Sequence, residues 1–414
     1  MTNKVTSSLI WTISATAGFA LSQLFIIIVI TKFGSLENLG FYTLSLALSA
    51  PVALFSNLQI GQLLIADYGK EKSFYQYRTV LVNSLIFGVL LLIIISFLYT
   101  YIQNTDITLF IVIILVGLIK TLDSIGDIYL AYLQRELAIV RIAKIRIIRA
   151  LIHSASFISI FLITNNLIFS LAAQILTLII RLVLIEIRTI EISEQKRKYK
   201  QFDKEIYLLG IPLGLVALIN SLNSNLPSYL LDIFADIKLV GIFNTLSYIF
   251  ILANLVAAPL SLYISPLLSK SYHNNNQQLF RKYLLTFSFI SIGITLIIGV
   301  FALCFGRLII SLIFNEEIAG FSFILLPLTV AVLFSFLISI FNTAIIILKV
   351  IQIQPYINLL NTIITFGVGI YLIKEFSIIG AAYLLVASRF IQLLLSGILF
   401  AFGFKKFKKQ VQEN

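Results

Sequence analysis

Between Gly117 and Ser154 the chain sets ionisable side chains into apolar sequence. Lys120, Asp123 and Asp127 fall at i, i+3 and i+7, and beyond a basic turn Arg146, Arg149 and His153 repeat that spacing. On α-helices each set forms one polar stripe. Asp123, Asp127 and His153 are candidates to bind a cation or carry a proton. Lys120 and Arg149, joined by Arg181 on the next apolar segment, carry the positive charge that an anionic group would seek. In lipid such groups cost roughly 2.5–3.5 kcal/mol each at a helix centre, so they should face the protein interior or a wet cavity.

Counting depth from the turn pairs Asp127 with Arg146, Asp123 with Arg149, and Lys120 with His153. With about 1.5 Å of rise per residue, antiparallel neighbours would form two ion pairs and leave a lysine beside a histidine. Such a seam either glues two helices together or, through its excess positive charge, attracts an anion.

The elements that must position these groups are membrane helices. The 414 residues are 59% hydrophobic and 12% charged, with a mean hydropathy of +1.03. Apolar runs long enough to span a bilayer recur throughout, and no intervening segment could hold a folded domain of its own. Twelve spans can be drawn, at about 9–31, 39–65, 79–102, 107–132, 142–163, 166–188, 206–231, 239–268, 283–306, 318–348, 355–373 and 378–402. The stretch Met1–Thr31 reads as a retained first helix rather than a cleaved leader. Cys304 is the single cysteine, so no intrachain disulfide or Cys/His metal framework is expected.

Orientation follows from the basic residues. With cytoplasmic termini, 23 of the 30 Lys and Arg residues fall on the inner side. The net charge of +12 is then met by anionic headgroups, and no nucleic-acid partner is needed. The hydrophilic stretch Arg188–Glu205 divides the chain into an amino-terminal lobe (1–188), a basic linker (189–205), a carboxy-terminal lobe (206–404) and a basic tail (405–414). The lobes look related. Phe33–Ser45, FGSLENLGFYTLS, is echoed 201 residues later by Phe234–Leu246, FADIKLVGIFNTL, with Gly40 matching Gly241. Ala172, Ala173 and Arg181 are likewise echoed by Ala381, Ala382 and Arg389. The fold expected is an all-α polytopic membrane protein, twelve transmembrane helices in two six-helix lobes related by a parallel pseudo-twofold axis. Such duplication is typical of alternating-access transporters.

Amides cluster on the spans that open each lobe: Gln23 in the first, Asn57, Gln59 and Gln62 in the second, and Asn220 and Asn223 in the seventh. They can bond sugar hydroxyls or neighbouring helices. Arg389, isolated about eleven residues into the last span, is a further candidate for substrate binding. Pro51, Pro212, Pro227, Pro259, Pro266 and Pro327 can kink spans. No GxxxxGK[ST], HExxH or GxSxG occurs, and the outer loops are too short to build an enzyme site. These features point to a non-catalytic protein without metal or organic cofactor.

Three stretches, WTISATAGFALSQLFIIIVITKFGSLENLGFYTLSLALS at Trp11–Ser49, LDSIGDIYLAYLQRELAIVRIAKIRIIRA at Leu122–Ala150 and APLSLYISPLLSKSYHNNNQQLFRKY at Ala258–Tyr283, carry a resemblance covering nearly the whole chain. They are similar to the Wzx-type polysaccharide-biosynthesis flippases of the multidrug/oligosaccharidyl-lipid/polysaccharide exporter (MOP, MATE-like) superfamily. The resemblance implies two six-helix lobes around a cationic cavity in the bacterial cytoplasmic (inner) membrane. The implied cargo is an undecaprenyl-diphosphate-linked oligosaccharide for O-antigen or capsule, moved by an H+ or Na+ gradient. Membrane lipids, a polysaccharide polymerase and a chain-length regulator are the other implied partners. One departure is that the first two spans hold no arginine or lysine in their cores. A cation-coupled multidrug exporter on the same scaffold is the alternative, followed by a membrane enzyme of polysaccharide assembly, a polymerase or ligase.

Overall fold

The computed structural model describes residues 2–67, 72–187, 203–248 and 263–413, and these are helical and without strands. The chain forms two compact units, Met1–Asn225 and Leu226–Asn414. Among the described residues, ten helices are long and apolar enough to cross a membrane, which makes this a multi-pass membrane protein.

The first unit contains α1 (Thr2–Phe33), α2 (Leu36–Asn57), α3 (Ile60–Ala66), α4 (Phe74–Gln103), α5 (Ile107–Arg135), α6 (Ile139–Thr164), α7 (Leu167–Arg181) with a π-helical turn Leu182–Ile187, and most of α8 (Lys204–Phe234). Short polar caps set these boundaries. The Ser35 hydroxyl accepts from the Asn38 amide at the start of α2, Asn166 accepts from Ile168 and Phe169 at the start of α7, and Ser73 and Gln76 form a capping box at α4. Asn104 and Asn165 end α4 and α6 in the left-handed conformation that asparagine tolerates. Leu58 and Gln59 are both left-handed (φ 50° and 52°). The second span is therefore broken there into α2 and α3.

Within the unit, α1 packs on α6, α2 and α4 on α5, and α7 on both α5 and α6. Small residues let the backbones approach: a Cβ on Gly88 would strike Ser56, and one on Gly117 would strike Leu92. Phe74, Tyr129 and Tyr132 form an aromatic cluster with ring centroids 5.3–5.4 Å from Phe74. Phe87, Phe97, Ile163 and Ile180 face outward, as lipid-facing side chains do.

The second unit holds the end of α8, α9 (Ile237–Leu246), a helical stretch 263–273, α10 (Gln277–Ile313), α11 (Leu325–Ile347) and α12 (Gln354–Glu413). At 60 residues, α12 is too long for one crossing. It breaks at Ser377 (φ 49°, ψ −126°). Its arms fold back on each other: a Cβ on Gly369 would lie 2.8 Å from Leu384, Asn361 donates to Ser388 across 3.4 Å, and Gly380 leaves room for the Leu372 carbonyl. The core joins Ile264, Leu268, Phe280, Ala344, Ile345 and Phe407.

The internal echo has a structural counterpart. Helix α1 ends at Phe33 and α8 at Phe234, while α2 begins at Leu36 and α9 at Ile237, the same 201-residue offset. The polar caps Ser35 and Asp236 occupy equivalent turns. Residues 249–262 of the eighth expected span, Pro259 among them, and residues 188–202 of the linker lie outside the described residues.

Candidate functional site

Three helices bring the seam together. Arg149 on α6 reaches Asp127 on α5 and, at 3.2 Å, Glu186 in the π-helical turn. Arg181 at the end of α7 lies 3.3 Å from Asp123 and 3.3 Å from the same Glu186 oxygen. Glu186 is fully buried between the two guanidinium groups, whereas the Asp127 side chain is 57% exposed and that of Asp123 is 17% exposed. Gly126 provides the slot, since a Cβ there would lie 2.5 Å from Arg149 Nη2.

This corrects the pairing expected from depth counting. Asp127 is held by Arg149 rather than Arg146, and Asp123 by Arg181 rather than Arg149. The reason is directional. Helical side chains lean toward the amino terminus of their own helix. Arg149 therefore leans back toward the α5–α6 turn while Asp127 leans away from it, and the long guanidinium arm closes about one turn.

The expected excess of positive charge is corrected too. Glu186 adds a third carboxylate to Asp123 and Asp127, balancing Lys120, Arg149 and Arg181. In a regular α-helix residues five apart point about 140° from one another, so Arg181 and Glu186 would not share a face. The π-helical turn rotates Glu186 into the seam. The sequence signal was an acid near the end of an apolar span, five residues after an arginine.

The seam continues toward α1 and α2. Tyr42 donates to Gln23 Oε1 at 3.3 Å, and the Gln23 amide nitrogen lies 3.1 Å from His153 Nε2. With Gln23 as donor, His153 is the neutral tautomer carrying its proton on Nδ1, an atom buried without a hydrogen-bond partner. Gln174 on α7 donates to the His153 carbonyl at 3.1 Å and locks the backbone beneath it. Lys120 is half-buried on α5, one turn from Asp123. Gln23, Lys120, Asp123, Asp127, Arg149, His153 and Arg181 thus form one polar tract in the first unit.

The other candidates lie elsewhere. Asn57 ends α2, Gln59 sits in the left-handed break and Gln62 is exposed on α3. Asn220 is exposed on α8, and the Asn223 side-chain oxygen is buried without a partner. Arg389, on the second arm of α12, lines a cavity of about 360 Å³ in the second unit.

A polar tract of this kind can exchange partners. An acid that gains a proton or a metal cation releases its arginine, and Arg149 and Arg181 each keep Glu186 as a second partner when that happens. Asp127 and Asp123 are the members open to that exchange.

Known proteins resemble this chain in sequence and in fold. The capsular polysaccharide biosynthesis protein CapF of Staphylococcus aureus is 25% identical over 379 residues, 91% of this chain and 94% of that protein. Among solved structures, the lipid II flippase MurJ in an inward closed conformation superposes with a TM-score of 0.74 at 15% identity, covering 98% of this chain and 91% of that one. An inward-facing multidrug resistance MATE family transporter of the MOP superfamily gives a TM-score of 0.69 at 14% identity, covering 96% of each chain. These likenesses establish the fold. A sequence profile of polysaccharide biosynthesis proteins matches residues 5–272, more than half of the chain, which therefore belongs to the polysaccharide biosynthesis protein family.

Proposed function

We propose that this protein is a flippase that carries a lipid-linked oligosaccharide precursor of a surface polysaccharide across the bacterial cytoplasmic membrane. Family membership carries the reading. The CapF relative, whose name places it in capsular polysaccharide biosynthesis, and the fold shared with a lipid II flippase support it. The protein acts as a transporter rather than an enzyme, with an undecaprenyl-diphosphate-linked oligosaccharide as cargo. Twelve crossings with both termini cytoplasmic agree with the basic-residue bias and with the broken hairpin of α12. Alternating access is driven by an H+ or Na+ gradient, and Asp123, Asp127 and His153 receive the coupling ion. A polymerase and a chain-length regulator act on the delivered cargo.

The test is reconstitution. Proteoliposomes holding a fluorescent undecaprenyl-diphosphate oligosaccharide should transfer it between leaflets, as read by access of an added glycosidase or lectin. Absence of transfer together with gradient-driven ethidium export would assign the protein to the multidrug branch of the fold.

A further inference from the structure

The charged seam of the first unit is only half bonded. Arg149 Nη2 donates to Glu186 Oε1 at 3.2 Å, while Arg181 Nη1 lies 3.3 Å from the same oxygen without the alignment of a hydrogen bond. Among the described residues, Glu186 Oε2 has no donor and the Nε atoms of Arg149 and Arg181 have no acceptor. Unmatched donors and an unmatched acceptor therefore stand within one buried knot of side chains. An arginine and a carboxylate that face each other squarely share two parallel bonds instead, the strong form of the pair.

The knot also holds more acid than a helix contact needs. Asp127 already serves Arg149, and Asp123 already serves Arg181. Glu186 is a second partner to both, and it reaches Arg181 only through the π-helical turn Leu182–Ile187, a device found mostly at functional sites. Exposure grades the three acids: the Asp127 side chain is 57% exposed, that of Asp123 17%, and that of Glu186 not at all. The two outer acids can take up a cation, whereas the inner one is closed to it. What Glu186 can receive is an arginine. Gly126 leaves space beside Arg149 Nη2 and Glu186 Oε1 that a Cβ would fill.

We propose that Glu186 is the positioning residue of ion exchange: when Asp127 or Asp123 takes up a cation, the arginine it releases closes on Glu186 through the oxygen that now has no partner. The role rests on the coupling assigned to Asp123 and Asp127 in the function proposed above. Glu186 competes with each aspartate for its arginine and so makes the aspartate easier to occupy. Without it, a cation arriving at Asp127 must displace a buried guanidinium that has no other carboxylate to turn to.

The neighbouring charges are few. Helix α5 itself brings Lys120 and Asp123, α6 brings Arg146 and Arg149 beside the neutral His153, and α7 brings Arg181. Of the other helices packed on α5, α3 carries no charge, α4 carries Arg78 over the Tyr129 ring, and α2 carries only Glu37 in its first turn.

Protons serve as the probe cation, reported by dicyclohexylcarbodiimide, which attacks protonated carboxyl groups in apolar surroundings. Full-length protein in detergent micelles is labelled across a range of pH, and the adduct on Asp127 is quantified by peptide mass spectrometry. Half-labelling in Glu186→Gln should need at least about tenfold more protons than in the native chain, the effect of one charged hydrogen bond. Glu186→Asp keeps the charge one methylene further back and should restore part of the difference. A role confined to holding helices together would lower the unfolding temperature of both variants and leave the half-labelling point where it is, and that result overturns the proposal. So does easier labelling in Glu186→Gln, and so does a native Asp127 that takes no label at any pH, because no arginine is then released. Should Glu186→Gln fail to fold, Glu186→Asp decides: its half-labelling point must still move to higher proton concentration. Labelling needs no cargo, so a negative result leaves the flippase reading to be scored separately by reconstituted transfer.

Discussion

Glu186 is the residue on which the charged seam turns. It is fully buried, and one of its oxygens faces both Arg149 and Arg181. Glu186→Gln keeps the size of the side chain but leaves two buried guanidinium groups facing each other, so it should destabilise the first unit by about 3–5 kcal/mol. Chemical unfolding in detergent checks this; a change below 1 kcal/mol on the order of a surface substitution would mean the pair is screened by water. Asp127 behaves differently because its side chain is 57% exposed. Asp127→Asn should spare folding and insertion while weakening ion binding by roughly tenfold or more, the loss of one charged hydrogen bond. Reconstituted transfer measured with and without a gradient reads that directly, and an unchanged gradient dependence would leave Asp127 a structural partner of Arg149.

At the scale of elements, the break in α12 and the start of α8 carry specific requirements. Gly380 lies where the second arm of α12 passes the Leu372 carbonyl, and an added Cβ would collide with backbone that cannot give way. Gly380→Ala should cost about 1–3 kcal/mol through forced backbone shifts, seen as a lowered unfolding temperature with Gly397→Ala, which meets open space, as control. The start of α8 is held by a cluster outside the spans. Lys72 bonds Asp203 at 2.8 Å and Glu205 at 2.6 Å, and Gln76 donates to Asp203 at 3.0 Å. Burial alone would lower the Lys72 pKa, but hydrogen bonds to the two acids outweigh it and raise it above 10.5. Burial would likewise raise Asp203, but Lys72 and the amides of Ile206 and Glu205 pull it below 3.8. The depressed acid contributes stability above its unfolded value that is lost as pH falls through its folded value. The raised amine contributes below its unfolded value and loses that contribution as pH rises through its folded one. The stability difference between the native chain and Lys72→Met should therefore be flat across neutral pH and shrink at both extremes, below the carboxylate range and above the amine range. A difference that grows on acidification would rule out the clamp.

For the whole molecule, the topology expected from the basic residues is open to direct measurement. Reporter fusions after Glu205 and at the carboxy terminus should both be cytoplasmic, because the basic residues of the loops, the linker and the tail lie mostly on that side when the termini do. An extracytoplasmic signal at either site would invert the orientation and move the loop carrying Lys72 to the outside.

Composition and hydropathy determine most of the architecture. Runs of apolar residues fix where helices cross, since an unpaired backbone cannot lie in lipid. Short caps such as Ser35, Ser73 and Asp236 mark where crossings begin. The echo of Phe33–Ser45 in Phe234–Leu246 was legible because equivalent turns need equivalent cap and glycine chemistry. The membership of the seam was largely legible as well: charges in apolar sequence must find one another, and Asp123, Asp127, Arg149 and Arg181 do. Their pairing was decided only by the tertiary structure, because it depends on side-chain lean and on a π-helical turn that brings Glu186 onto the face of Arg181. Neither is encoded in residue spacing, which assumes a uniform helix and counts depth by Cα. The Arg389 cavity was equally invisible, for its walls come from α11 and α12, and only their packing places Asn342 opposite the arginine.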